Sequence, residues 1–209
     1  AMAYRADGSV LWQNSTIGDG YSAVGNLVGD EHPEVVVVHG GNVYLLSATG
    51  QKLWQTEIPP NPYRNISGGM PTLADMDGDG ELEIGVSGNQ TFTVFNADGS
   101  VLWKAATDDR SEVTGSTVFD IDGDGEAEIF YNDEHYFRIF RGRDGAVLFQ
   151  APSTSGTSVE FPVVANVDDD PYPEIAIAGA TRFAVFDNNG ALLWAQPTVD
   201  LSSHQTGST

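Results

Sequence analysis

The sequence predicts an all-β protein, a β-propeller of four-stranded antiparallel blades with about four to five blades present. Its most regular signal is a turn glycine followed by a short apolar strand that ends in Trp or Phe. This signal recurs at Gly8, Gly50, Gly99, Gly145 and Gly190, with spacings of 42, 49, 46 and 45 residues. Such a period, with several strand-length segments in each repeat, is typical of propeller blades. No stretch has the sustained apolar period of a helix, which favours an all-β fold.

One repeat, residues 70–106, can be followed strand by strand. The segment 70–74 predicts a short first strand, and an acidic loop follows it. Alternating apolar and small residues predict a second strand at 83–87. A Gly-Asn turn leads to a third strand at 91–96, and an Asp-Gly turn leads to a fourth at 100–105. The pattern of the third strand returns in the other repeats at 43–46, 137–140 and 183–186.

The repeats divide the chain as a single propeller domain or a fragment of one. We expect a partial blade at 1–19, repeats at about 20–63, 64–109, 110–155 and 156–198, and a lead-in to a further blade at 199–209. Because the partial blade lacks half of its strands, we expect the chain to form part of a larger propeller of about six to eight blades. Its open blade edges would pair with the rest of that propeller or with another chain. A closed ring of about five blades is the alternative.

The loops between first and second strands are rich in carboxylates. Two of them, 75–83 and 120–128, carry an acid at positions 1, 3, 5, 7 and 9 and glycine at 4 and 6. The loops at 26–34 and 166–174 keep only part of this pattern. Alternating oxygen ligands around glycines form the kind of site that calcium selects. These are not EF-hands, because Val86 and Tyr131 stand at position 12, where an EF-hand has a bidentate acid.

The charge balance supports cation binding. Nine Lys and Arg stand against thirty Asp and Glu, a formal net charge of −21, and seventeen of the acids lie in these four loops. So acidic a chain argues against nucleic acid and anionic membranes as partners. No apolar run is long enough for membrane insertion. The chain has no cysteine, and weak calcium loops fill best in millimolar calcium outside cells. We therefore expect a secreted or cell-surface protein.

At two segments, 71–84 and 92–103, the chain resembles the FG-GAP/VCBS repeat family of calcium-loop propellers, which includes integrin α-subunit heads. The resemblance implies that side chains at loop positions 1, 3, 5 and 9 bind calcium together with the backbone carbonyl at position 7. In the first full loop these residues are Asp75, Asp77, Asp79, Glu83 and the carbonyl of Glu81. In the second they are Asp120, Asp122, Asp124, Glu128 and the carbonyl of Glu126.

The other two loops depart from that pattern. In 166–174, Asn166 replaces the first aspartate and Pro171 replaces a glycine whose positive φ proline cannot adopt. The remaining ligands implied there are Asp168, Asp170, Glu174 and the carbonyl of Tyr172. In 26–34, Val28 removes the ligand at position 3. The cofactor expected is Ca²⁺, with two sites in the full loops, a third open at 166–174, and none at 26–34.

The repeated tryptophans have two interpretations. Their recurrence at one blade position favours packing between blades over sugar-stacking platforms. The segment Thr49-Gly50-Gln-Lys-Leu-Trp54 is also similar to a repeat of quinoprotein propellers, which opens an enzymatic alternative.

The segments that link one blade to the next vary in length and are expected to lie together on one face, where propellers bind ligands. Tyr63, Arg64 and Arg110 are the candidate ligand contacts. The function expected is an extracellular, calcium-stabilised module for adhesion or for recognition of a protein or glycan, without catalysis. The alternatives are part of a secreted polysaccharide-degrading enzyme similar to rhamnogalacturonan lyases, a quinoprotein-like enzyme, and a structural spacer.

Overall fold

Eighteen β-strands and no helix occur in residues 1–58, 68–153 and 161–199, the part of the chain that the computed structural model describes. Nothing in these ranges is a helix that could cross a bilayer. The boundaries expected near residues 63 and 155 fall outside the described residues.

The strands pair into five sheets, in which every pairing is antiparallel. A two-stranded half-blade consists of β1 (Met2–Tyr4) and β2 (Val10–Gln13). Blade 1 consists of β3 (Tyr21–Gly25), β4 (Glu34–His39), β5 (Asn42–Leu46) and β6 (Lys52–Glu57). Blade 2 consists of β7 (Thr72–Ala74), β8 (Glu83–Gly88), β9 (Thr91–Phe95) and β10 (Val101–Ala106). Blade 3 consists of β11 (Ser116–Phe119), β12 (Glu128–Asn132), β13 (Tyr136–Phe140) and β14 (Val147–Pro152). Blade 4 consists of β15 (Val163–Ala165), β16 (Glu174–Ala178), β17 (Arg182–Phe186) and β18 (Leu192–Pro197).

Each blade is a simple meander, with its four strands in sequence order across the sheet. The first strands of adjacent blades contact one another: β7 lies beside β3 and β11, and β11 lies beside β15. First strands therefore form the inner edge and fourth strands the outer edge, which is the arrangement of a propeller. The predicted fold class, an all-β propeller of four-stranded blades, is confirmed.

The core lies between the blades rather than within any one of them. Val38, Leu45 and Phe95 belong to the layer between blades 1 and 2, and Met76 and Tyr131 to the layer between blades 2 and 3. Every residue of β8 and of β12 is buried. Because successive side chains of a strand point to opposite faces, each of these two strands packs against the blade before it and the blade after it.

A repeated contact joins the outer parts of adjacent blades: the aromatic residue of one fourth strand packs on the turn glycine of the next blade. The glycines have φ of 70 to 84°, a region that residues with a side chain rarely adopt. A Cβ atom built on Gly50 would lie 2.6 Å from the ring of Trp12, and one built on Gly99 would lie 3.1 Å from that of Trp54. A Cβ atom built on Gly145 would lie 2.4 Å from the ring of Trp103, and one built on Gly190 would lie 2.4 Å from that of Phe149. In these four contacts the repeated aromatic residue packs between two blades, as the first of its two interpretations predicted.

Candidate metal centres

The acidic loops occupy the same place in all four blades, between the first and second strands. In each blade the second strand begins on the glutamate at loop position 9. These glutamates are Glu34, Glu83, Glu128 and Glu174, and at most 3% of each is exposed. Buried carboxylates need compensation by hydrogen bonds or by opposite charge.

Part of that compensation is a hydrogen bond that closes each loop. The Oε2 atom accepts from the backbone N–H at loop position 2, in the pairs Glu34 with Leu27 (2.9 Å), Glu83 with Met76 (2.7 Å), Glu128 with Ile121 (3.0 Å) and Glu174 with Val167 (2.6 Å). Sequence reasoning missed this role and considered only metal binding, although the glutamate in all four repeats was a visible signal.

Three of the four loops bring carboxylates together. In each of three triads the oxygens lie within 4.8 Å of one another: Asp75, Asp77 and Glu83; Asp120, Asp122 and Glu128; Asp168, Asp170 and Glu174. Among the described residues, the loop 26–34 forms no such group. These triads can hold a metal ion, since several carboxylate oxygens converge on one point.

The aspartates at positions 1 and 5 of the full loops also accept hydrogen bonds from the backbone of their own loop. Asp75 accepts from the N–H groups of Gly78 (2.8 Å) and Gly80 (2.9 Å), while Asp79 accepts from that of Glu81 (2.8 Å). The second full loop repeats these bonds, from Gly123 and Gly125 to Asp120 and from Glu126 to Asp124. The predicted ligands Asp79 and Asp124 lie outside the triads, and their side chains accept hydrogen bonds from the backbone.

The third triad differs in its framework. The side-chain amide of Asn166 donates to the carbonyl oxygen of Asp170 at 2.7 Å, so it ties the loop together at position 5. The Oε1 atom of Glu174 is buried and has no hydrogen-bond partner. A buried acceptor without a donor is costly, and a cation beside it would remove that cost.

The electrostatics of the two full loops favour a bound cation. Burial, followed by repulsion from Asp77, Asp79 and Asp75, raises the pKa of Glu83 to about 7. Burial and the neighbouring aspartates likewise raise the pKa of Glu128 to about 7. In the described segments, none of the nine triad carboxylates forms an ion pair with Lys, Arg or His. A divalent cation would supply the compensation that the protein does not.

The two full loops touch each other through Glu126. A Cβ atom at Gly78 would lie 3.2 Å from the Cγ atom of Glu126, and Arg143 donates to the Glu126 carboxylate at 2.7 Å. The Glu126 side chain is thus engaged by Arg143. This is compatible with position 7 contributing only its backbone carbonyl to a metal.

The candidate ligand contacts have separate outcomes. Tyr63 and Arg64 lie outside the described residues. The Arg110 side chain is exposed, and its backbone N–H donates to Glu134. Its neighbour Asp109 is fully buried and accepts a 2.6 Å hydrogen bond from the hydroxyl of Tyr131. Burial and the Asp109 carboxylate raise the pKa of Tyr131 well above its ordinary value. The segment around Arg110 is therefore anchored inside the protein and presents few side chains to solvent.

A family model described as outer membrane protein assembly factor BamB, PQQ_2, matches residues 2–204. The comparison with curated proteins gives no match. Among solved structures, the chain is similar to the V. cholerae biofilm matrix protein Bap1, with 25% identity and a TM-score of 0.69 over 92% of this chain and 31% of that one. It is also similar to BamB from Moraxella catarrhalis, with 14% identity and a TM-score of 0.63 over 95% of this chain and 55% of that one.

A third similar structure is the quinohemoprotein alcohol dehydrogenase from Comamonas testosteroni, with 15% identity and a TM-score of 0.52 over 82% of this chain and 36% of that one. The chain thus spans between 31% and 55% of the length of these proteins. At 14 and 15% identity, the second and third likenesses concern the fold alone.

These matches correct the resemblance inferred from the loops. The FG-GAP/VCBS assignment is wrong, because the family model that matches nearly the whole chain is PQQ_2. The acidic loops misled the assignment, since oxygen ligands at such spacings suit a hard cation in any family and do not by themselves identify one. The repeat ending in tryptophan, which had opened the quinoprotein alternative, was the better guide to the family.

Proposed function

Because the chain belongs to the PQQ_2 family, described as outer membrane protein assembly factor BamB, we propose that it is a non-catalytic propeller module. It binds a protein or glycan at the cell surface or in the extracellular matrix, and calcium stabilises its acidic loops. The observation that carries the proposal is the set of three carboxylate triads, each including a buried glutamate and none ion-paired within the described residues.

Calcium fits these triads better than magnesium does. Calcium accepts six to eight oxygens in flexible geometry, including backbone carbonyls, whereas magnesium demands near-octahedral geometry and retains water. The residues that would hold it in the full loops are Asp75, Asp77 and Glu83 with the carbonyl of Glu81, and Asp120, Asp122 and Glu128 with the carbonyl of Glu126. In the third loop they are Asp168, Asp170 and Glu174 with the carbonyl of Tyr172. The chemistry supplied is neutralisation of charge, which is structural.

The extracellular setting rests on two supports. Weak calcium loops fill in the millimolar calcium found outside cells. The protein with 25% identity over 92% of this chain is a biofilm matrix protein by its name. The net charge of −21 disfavours anionic partners such as nucleic acid, so the partner is a neutral or basic surface of a protein or a glycan.

Binding rather than catalysis is supported by the acids themselves. The carboxylates of the triads are committed to the cation, and the buried Asp109 is committed to Tyr131. The similarity to an alcohol dehydrogenase, at 15% identity, concerns the fold and does not assign an activity to this chain.

The direct test is a calorimetric titration of metal-stripped protein with calcium, and with magnesium as the control ion. The proposal expects three calcium sites and a calcium-dependent rise in melting temperature, with weaker or no binding of magnesium. Absence of calcium binding would overturn the metal part. The calcium-loaded protein is then screened on glycan and protein arrays. Saturable binding that a chelator removes supports recognition, and its absence with calcium bound would leave a structural spacer.

A further inference from the structure

The turn between the third and fourth strands is one residue longer in blade 3 than elsewhere in the described chain. In this turn the N–H of Arg141 donates to the carbonyl of Ala146, five positions further along. The equivalent bonds of the half-blade and of the other blades span four positions, as the bond from Asn96 to Ser100 does. The longer turn carries Arg143, whose side chain extends to the second full loop.

Arg143 forms an ion pair with the acid at position 7 of that loop. Its guanidinium donates to both carboxylate oxygens of Glu126, at 2.7 Å and 2.9 Å. Among the described residues, this is the one ion pair that includes an acid of the four loops. The Arg143 side chain is 47% exposed, and a pair this open to solvent contributes little to stability. We therefore expect the pair to act mainly through the charge that it places beside the loops.

The Glu126 side chain lies against the first full loop, although Glu126 belongs to the second. Its Cγ atom would be 3.2 Å from a Cβ built on Gly78, the neighbour of Asp77 in the sequence. Burial and the charge of Asp79 raise the pKa of Asp77, and the charges of Asp75 and Glu126 add to that rise. The Glu126 carboxylate thus adds negative charge to the first triad from the neighbouring blade.

This contact between loops is particular to blades 2 and 3. Gly78 is the glycine at position 4 of its loop, and its equivalents in blades 1 and 3 are Gly29 and Gly123. A Cβ built on either of these two has no atom within 4 Å. Glu81, at the same loop position as Glu126, follows a loop that forms no triad. Within the described residues, one loop therefore reaches the position-4 glycine of another at a single junction.

We propose that the Glu126 side chain strengthens calcium binding at the neighbouring first full loop, and that Arg143 limits this effect. Glu126 acts by its charge, whereas Arg143 holds the carboxylate and neutralises it. The inference rests on the proposed function, because it takes the first triad to be a calcium site. Glu126 then serves both full loops, with its backbone carbonyl in the second and its carboxylate beside the first.

The two members of the pair should have opposite effects on the first loop. If the pair were only a structural contact between blades, removing either partner would loosen the loop, and calcium binding would weaken in both cases. Charge predicts that loss of Glu126 weakens binding and that loss of Arg143 strengthens it. Both effects should become smaller as salt screens the charges.

The test is a calorimetric calcium titration of the full chain in a parent that carries Asp122→Asn and Asp168→Asn, so that the first full loop alone keeps its triad. In this parent, Glu126→Gln should weaken calcium binding by about threefold to tenfold at low ionic strength. Arg143→Gln should tighten it by about the same factor. Circular dichroism checks that each variant is folded.

Two variants serve as controls in the same parent. Asp7→Asn also removes one negative charge, but from the half-blade, which blade 1 separates from blade 2. It should leave calcium affinity unchanged within about twofold, because the charge is distant and screened. Arg141→Gln removes a cation from the same turn, but one that pairs with Asp144 rather than with Glu126. It should change the affinity less than Arg143→Gln does.

A second readout needs no metal. In chelator, Asp77→Asn and Glu126→Gln each remove one member of a repelling pair, so together they should stabilise the chain by less than the sum of their separate effects. Denaturant unfolding of the wild type, the two single variants and the double variant measures this coupling. Raising the salt concentration should reduce the coupling.

The outcomes separate this inference from the proposed function. A parent that binds no calcium would contradict the proposed function together with the inference. A parent that binds calcium, with Glu126→Gln and Arg143→Gln shifting the affinity in the same direction or not at all, would overturn the inference alone. Strictly additive effects of Asp77→Asn and Glu126→Gln in chelator would also overturn it, because the carboxylates would then not act on each other.

Discussion

The backbone of Gly142, in the turn between β13 and β14, lies against the carbonyl of Met76 in the first full loop. A Cβ atom at Gly142 would be 2.1 Å from the Met76 carbonyl oxygen and 2.2 Å from that of Ala127 in the second full loop. The indole of Trp103 donates to the carbonyl of Gly142 at 2.5 Å. One glycine therefore joins two blades and both full loops, and substituting it tests that junction.

Gly142→Ala should destabilise the protein by about 1–3 kcal/mol, because the added methyl group must push backbone atoms apart. It should also weaken calcium binding at both full loops, since Met76 and Ala127 lie inside them. Denaturant unfolding and calorimetry measure the two effects. Arg141→Ala in the same turn is the control, because it removes only an exposed ion pair with Asp144 and should change stability by less than about 1 kcal/mol.

Asp77→Asn and Asp122→Asn should each remove one calcium site while keeping the shape of the side chain. In saturating calcium each variant should be less stable, by about 2.7 kcal/mol where calcium is at about a hundred times the dissociation constant. In chelator the difference in stability from the wild type should vanish or change sign, because the substitution relieves repulsion within the triad. Calorimetric stoichiometry and thermal unfolding provide the readouts. Val28→Ala, in the loop without a triad, should leave the stoichiometry unchanged, and equal losses in all three variants would contradict the loop assignments.

Glu34 and Glu83 should respond differently to substitution, although both close their loops. Glu34→Ala leaves the N–H groups of Leu27 and Val28 without their acceptor and should cost about 1–3 kcal/mol, with or without calcium. Glu83→Gln retains an oxygen for the Met76 N–H but loses the ligand charge, so its defect should appear mainly in calcium. Thermal unfolding with calcium and with chelator distinguishes them. A calcium-dependent defect in Glu34→Ala would show that the first loop also binds the ion.

Stability of the metal-stripped protein should fall as pH rises from about 4.5 to about 7. In the folded chain the pKa values of Glu83 and Glu128 are raised from 4.5 to about 7, so in this window the folded state holds more protons than the unfolded state. The free energy of unfolding then decreases with rising pH. Calcium should cancel the loss near neutral pH and bind less tightly near pH 5, where protons compete with it. Thermal unfolding at several pH values tests this, and a stability that rises through the window in chelator would contradict it.

The sequence was sufficient to predict the fold because the same local signals recur in every blade. The turn at Gly50 and the ring of Trp54 each recur once per blade, so spacing alone indicated the blades. The acids that form the triads could likewise be predicted, because position within a short loop fixes which side chains converge. The structure leaves Asp79 outside the triad, with one of its oxygens accepting from the Glu81 N–H, an arrangement that the sequence pattern does not indicate.

What the sequence could not predict involves contacts between distant segments. Asp109 is an acid in an apparently polar linker, and its burial arises from Tyr131 on the next blade. The bond of Arg143 to Glu126 across seventeen residues likewise has no local signature. The family was misassigned for a related reason: cation-binding chemistry recurs on unrelated chains, whereas the packing of Trp103 on Gly145 is specific to how these blades stack.

The contact of β7 with both β3 and β11 protects blade 2 against local opening from both sides. When each unit contacts only its neighbours, stability is approximately a sum of terms between nearest neighbours, and units with two neighbours open less readily than those with one. Blades 2 and 3 have full blades on both sides and carry the two complete acidic loops. Hydrogen exchange should therefore be slow there, so that the two full acidic loops lie in blades that are held on both sides.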